Sequence, residues 1–189
     1  MPLSEIRITL PAWVERFVAW QEPCVSAEAR MALAIGLARA NVEGGTGGPF
    51  GAAVFDLVTH RPVAVGVNLV QSAQNAVLHA EIVALMLAQA TLGRYTLNAP
   101  GLNPHALVTS CEPCAMCLGA LLWSGVRELE CGATRADAAR IGFDEGPVFA
   151  ASYAYLAARG VGVRLEVRRA AAAAVLEDYR QSDGTIYNG

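Results

Sequence analysis

Apolar and polar residues alternate along this chain in blocks that read as elements. Residues 26–42 predict a helix that starts at Ser26, whose hydroxyl suits a helix N-cap, and stops at the glycine-rich "EGGTGGPFG". "FGAAVFDLV" and "PVAVGVNLV" are apolar runs of strand length joined by "THRP", which predicts a hairpin. "HAEIVALMLAQATLG" predicts a helix ended by Gly93, and "ALVTS" (106–110) a short buried strand. "CAMCLGALLWSG" predicts a helix led in by Pro113, a residue type favoured at the first helical position. After it come a strand, "RELECGA", a short helix and turn, "DAARIGF", and a helix, "GPVFAASYAYLAARG". "VGVRLEVR" is expected as a last strand, the alanine-rich 168–180 as a last helix, and "QSDGTIYNG" as a tail. Helices and strands alternate from residue 79 onward, which argues for an α/β fold with parallel pairing and helices on both sheet faces.

Composition narrows this picture. With 189 residues, 54% hydrophobic and 16% charged, the chain is expected to form one domain (1–189) with a large core, extended by an oligomer interface. The net charge of −3 and the absence of a Lys/Arg stripe argue against a nucleic-acid partner. "AVLHAEIVALMLAQA" is interrupted by His79, Glu81 and Gln89, and "CAMCLGALLWSGV" is short, so no membrane span is expected. The N-terminus lacks the pattern of a secretory signal. Five cysteines, three of them within seven residues, then read as reduced thiols and metal binding in a cytoplasmic setting.

Two short stretches carry the chemistry: "HAE" at 79–81 and "PCAMC" at 113–117. Cys114 and Cys117 are i and i+3, so they share a helix face, and a helix start favours thiolate over thiol. His79, also opening a helix, completes a Cys₂His set for Zn²⁺ that leaves a fourth position for water, the arrangement of a catalytic zinc. Two thiolates and a neutral imidazole bring the charge near zero, so the zinc acidifies water weakly and a nearby base is useful. Glu81, two residues from a ligand, is placed for that role. The alternative is a closed structural zinc site of His79, Cys111, Cys114 and Cys117. Pro113 argues against it, because the residue before a proline is pushed to an extended conformation and Cys111 falls outside the helical face. Cys24 and Cys131 read as small core hydrophobes.

H-x-E followed by P-C-x-x-C is the signature of zinc nucleobase deaminases. With "GGPFGAAV", "GVN", "HAEIVAL", "TSCEPCAMCLGALLW" and "IGFDEG" in order, the chain resembles the cytidine-deaminase superfamily, and within it the bacterial guanine deaminases. The resemblance runs from about Gly47 to Glu145, with a weaker echo at the C-terminus. It implies a three-layer α/β/α sandwich around a mixed five-stranded sheet. It also implies hydrolysis of guanine to xanthine and ammonia, with Glu81 carrying a proton from zinc-activated water to ring nitrogen N3. Glu145, in the "GFDE" block, is implied as a second shuttle for the departing amino group, with Asp144 beside it where the family commonly has two aspartates. Relatives stack an aromatic where this chain has Phe50 and bond the ring edge where it has Asn68.

The backbone N–H of Ala80, at a helix start, is a candidate donor to a substrate carbonyl. Trp123 is turned from the ligand face and expected in the core or at the pocket rim. A tail over 181–189 is expected to close the site through Tyr187, in a homodimer. Other readings are a deaminase of another base, nucleoside or amino-heterocycle, a tRNA adenosine deaminase, or a non-catalytic zinc module.

Overall fold

A computed structural model describes residues 6–188, so the tail can be followed as far as Asn188. Strands β1 (Gly51–Asp56), β2 (Pro62–Val67), β3 (His105–Cys111), β4 (Glu128–Ala133) and β5 (Gly162–Arg164) form one sheet in the order β2-β1-β3-β4-β5. β1 runs antiparallel to β2 and β3, while β3, β4 and β5 run parallel. Each parallel step needs a crossover. α4 (Ala115–Ser124) supplies the first, and α5 (Arg135–Arg140) with α6 (Ala150–Ala158) the second. A short α1 (Trp13–Phe17) and α2 (Ala27–Glu43) precede the sheet, α3 (Ala80–Leu92) links β2 to β3, and α7 (Arg169–Gln181) follows β5.

The sheet is covered on both faces, giving the expected α/β/α sandwich. Ala53, Phe55, Ala106 and Val108 pack with Met31, Leu37 and Ala38 of α2 and Val175 of α7. Their neighbours Ala52, Val54 and Leu107 point the other way, against Ala84 and Leu85 of α3 and Leu121 of α4. Strands buried on both faces read as unbroken apolar runs, which is why "GAAVFD" and "HALVTS" show no polar alternation. A charge pair enters the core: Glu130 of β4 receives Arg30 of α2 bidentately, with Nε–Oε2 at 3.0 Å. Both are buried, so each needs the other.

Two expectations about elements change, and one element, α1, was not predicted. β5 stops at Arg164 rather than running to 168, because Glu166 and Arg168 take positive φ (60° and 54°) and turn the chain away. α1 had no clear pattern behind it. α4 begins at Ala115, with Cys114 as its extended N-cap (φ −66°, ψ 172°), so Pro113 lies outside the helix instead of at its first position.

Candidate active site

β2 and β3 both run antiparallel to β1 and so point the same way. Their C-terminal ends and the start of β1 therefore share one edge of the sheet, where α/β folds place their sites. Helices α3 and α4 start there. Their N-caps, His79 and Cys114, make no side-chain cap hydrogen bond, which leaves ring and thiol free for other work. Cys117 is fully buried. His79 Nδ1 lies 3.6 Å from Cys114 Sγ, and the ligand atoms of His79, Cys114 and Cys117 all lie within 4.8 Å of one another. A tetrahedral zinc with bonds of about 2.0–2.3 Å spaces its ligands by roughly 3.5 Å, so this donor set fits Zn²⁺. Cys111 ends β3 and turns its Sγ to the Thr134 carbonyl at 3.5 Å. A fourth protein ligand, which the closed site requires, is not found among the described residues. Cys131 is in the core as expected, whereas Cys24 is only half-buried, at the edge of the core on the α2 face.

Glu81, in the first turn of α3, is buried. Oε1 accepts from the Thr109 hydroxyl at 3.1 Å, and Oε2 faces the Cys117 thiol at 3.5 Å. Burial and the neighbouring Cys114 raise its pKa. Bonding from the Cys117 thiol and then from His79 holds Cys114 down to about 4, while Cys114 and burial push Cys117 up. Thiolate beside thiol is the arrangement a cation would complete. Burial opposes charge on His79, but its bond to Cys114 and the charge on Glu81 outweigh this and raise its pKa. Glu145 reaches the site from a loop docked on the start of α4 by an Ala115 N–H to Glu145 carbonyl bond of 2.9 Å. Burial, then the charges of Cys114 and Glu81, push its carboxyl up to about 8.

Phe50, Asn68, His79, Glu81, Glu145 and Tyr187 line one narrow cavity, joined by Glu112, Cys114 and Asn188. Asn68 is fully buried. Its Oδ1 accepts from the Val70 N–H at 3.2 Å, leaving Nδ2 without a protein partner. Asn41 fixes this corner by donating from Nδ2 to the carbonyls of Gly48 and Asn68, each at 2.9 Å. The approach is close enough that a Cβ at Gly47 would sit 1.9 Å from the Asn68 oxygen. Phe50 meets Phe143 edge-on at 5.0 Å, and Tyr187 meets Phe143 at 5.1 Å and His79 at 6.4 Å. Ala80 is the first residue of α3, so its N–H lacks an intrahelical partner.

Two candidate site residues are elsewhere. Trp123 is 74% exposed on α4, neither core nor at this cavity. It lies seven residues from Met116 and shares that residue's outward stripe. The Asp144 side chain is also turned outward, where Oδ1 accepts the Gly146 N–H at 2.8 Å. Its backbone instead holds the tail: Asp144 N–H donates to the Asn188 carbonyl (3.2 Å), and Asn188 Nδ2 donates to the Asp144 carbonyl (2.9 Å). The sequence reading missed Thr109, Asn188 and Glu112, which pairs with Arg135 at 3.2 Å. Thr109 and Glu112 stand inside "TSCEPCAMC", so their proximity to the ligands was the available signal.

Three soft and borderline ligand atoms, a buried and a half-buried carboxyl group and a lone amide donor around one cavity describe a metal-assisted hydrolytic site. The family described as the cytidine and deoxycytidylate deaminase zinc-binding region matches residues 25–133. Guanine deaminase of Bacillus subtilis (strain 168) is 38% identical over 116 residues, 61% of this chain and 70% of that protein. The structure of guanine deaminase from Nitrosomonas europaea superposes with a TM-score of 0.89 at 42% identity, covering 94% of this chain and 97% of that one. A structure of NE0047 in complex with 2,6-diaminopurine gives 0.90 at 44% identity, covering 96% of each. The chain belongs to the cytidine and deoxycytidylate deaminase family, defined by its zinc-binding region. It is a deaminase, as its paired motifs implied.

Proposed function

We propose that this enzyme hydrolyses guanine to xanthine and ammonia, with His79, Cys114 and Cys117 holding Zn²⁺. The observation that carries the reading is the convergence of Glu81, Glu145 and the free Asn68 Nδ2 on one cavity beside the ligand set. When bound there, zinc would supply an acidified water. Glu81 accepts the proton of the attacking water and delivers it to ring nitrogen N3, through a carboxylate aimed by Thr109. As the C2–NH₂ bond breaks, the amino group needs a further proton. Glu145, whose carboxyl is pushed up by burial, is the donor, and the second water proton, released from the C2 hydroxyl as C2=O forms, restores the carboxyl pair. Asn68 Nδ2 donates to an acceptor on the ring edge, the Ala80 N–H to the carbonyl, and Phe50 and Tyr187 cover the ring and exclude water.

Xanthine and ammonia release, measured side by side with guanine, guanosine, cytosine, cytidine and adenine, tests this. Guanine is the expected substrate, and Glu81→Ala is expected to lose turnover while keeping its zinc. Unchanged turnover in Glu81→Ala would sink the mechanism, and preference for another base would sink the substrate.

The domain is proposed to act as a cytoplasmic homodimer, closed by its C-terminal tail and without nucleic-acid or membrane partners. Among the described residues no helix is long and apolar enough to cross a membrane. Met116 and Trp123 are exposed at i and i+7 on α4, with Met86 exposed on the adjacent α3, an apolar face suited to a second copy. Trp123→Glu is expected to shift the protein to monomer in light scattering; an unchanged mass would place the interface elsewhere.

A further inference from the structure

Four buried side-chain atoms among the described residues lack a hydrogen-bond partner: His60 Nδ1, Asn68 Nδ2, Tyr187 OH and Asn188 Oδ1. All but the first belong to residues lining the cavity of Glu81 and Glu145. A buried polar atom left unpaired costs about 1–3 kcal/mol, so three of them around one space point to a ligand that pairs them. The two amides cannot exchange their ends. Asn188 Nδ2 donates to the Asp144 carbonyl at 2.9 Å, and a flipped amide would set oxygen against oxygen. Asn68 Oδ1 accepts the Val70 N–H, and a flip would set N–H against N–H. The cavity therefore presents one fixed donor, Asn68 Nδ2, and one fixed acceptor, Asn188 Oδ1.

We propose that Asn188 is a specificity-determining residue whose carboxamide oxygen accepts a hydrogen bond from a ring N–H of the bound heterocycle. The inference deepens the guanine reading and rests on it for the substrate class. Guanine offers such hydrogens at N1 and on the imidazole ring. Methylation of the nitrogen that faces Asn188 removes the donor and adds bulk in its place. A site built to bond an N–H rejects the analogue lacking it far more strongly than a pocket that merely fits.

The test compares kcat/KM for guanine and its N1-, N7- and N9-methyl derivatives in the zinc-loaded wild type, Asn188→Ala and Asn188→Asp. In the wild type one methylation is expected to cost about 100-fold or more. Asn188→Ala should shrink that one ratio at least about tenfold, leaving the others in place. Asn188→Asp, which keeps oxygen acceptors but loses the donor to Asp144, should preserve the ratio. Both variants keep the backbone bond between Asp144 and Asn188. Equal losses on every substrate in both variants would mean that the side chain only clasps the tail, and unchanged ratios would mean that it reads nothing; either result overturns the proposal. If the wild type turns over another amino-heterocycle and not guanine, the guanine reading falls. The same ratios on that compound's methyl derivatives then decide the role of Asn188.

Discussion

Thr109 donates its hydroxyl to Oε1 of Glu81 across 3.1 Å, from the central strand to the first turn of α3. Both groups are buried, so the bond fixes which carboxylate oxygen remains for the reacting proton. Thr109→Val keeps the shape and removes the donor. A hydrogen bond to a charged group is worth about 1.5–3 kcal/mol, so kcat should fall tenfold or more. KM should change little, and Thr109→Ser should recover most of the rate. Equal losses in Val and Ser variants, by steady-state kinetics, would assign the effect to packing.

The three clustered cysteines should separate by metal content. Cys114→Ala and Cys117→Ala each remove one of three ligand atoms and are expected to purify without stoichiometric zinc. Cys111→Ala should retain it and lose about 1 kcal/mol or somewhat more of stability from the small cavity left behind. Elemental analysis with thermal unfolding checks both, and loss of zinc from Cys111→Ala would revive the closed site.

Gly48 lies directly beneath the tail tyrosine. A Cβ there would sit 2.7 Å from the Tyr187 hydroxyl and 2.8 Å from its ring, a clash that only tail movement relieves. Gly48→Ala is expected to raise KM on the order of tenfold, equivalent to about 1.4 kcal/mol of closure, with zinc retained. Unchanged KM would show that Tyr187 does not cover the substrate.

Asp137 ties the start of α5 to α7. Its Oδ2 accepts from the Thr134 N–H (3.0 Å) and hydroxyl (2.8 Å) and from Arg169 Nε (2.9 Å). Arg169 first, then Thr134, holds the carboxyl below the usual range. A depressed folded-state pKa stabilises fully above the unfolded-state value near 4, and the contribution is lost as pH falls through the folded one. Asp137→Asn should therefore unfold about 1–3 kcal/mol more easily at pH 7, with the gap closing below pH 4. A gap that stays constant with pH would contradict this.

The sequence exposed those parts of the site that sit at element starts. His79, Glu81, Cys114 and Cys117 are short-range patterns, and the helices they open were legible from the same residues. Asn188 was not, because its role depends on a loop 44 residues earlier folding beneath it. Trp123 failed for a different reason: helical spacing from Cys114 told which way it did not face, but not what lay on the other side. Likewise "VGVRLEVR" has strand propensity throughout, yet two left-handed residues end β5 at Arg164.

His79 and Cys114 each stand at the N-cap of a helix and neither caps it. Elsewhere in this fold Ser26 and Thr134 do that job with their hydroxyls. At the two bare starts, an ion gripping both side chains would fix the residues from which α3 and α4 grow, a mechanical substitute for two missing caps. The first turns of these helices, 35 residues apart along the chain, would then become one cooperative unit in amide exchange. Withdrawing the cation would loosen both together, so a change in protection at Val83 should be mirrored at Leu118, whose amides close those first turns.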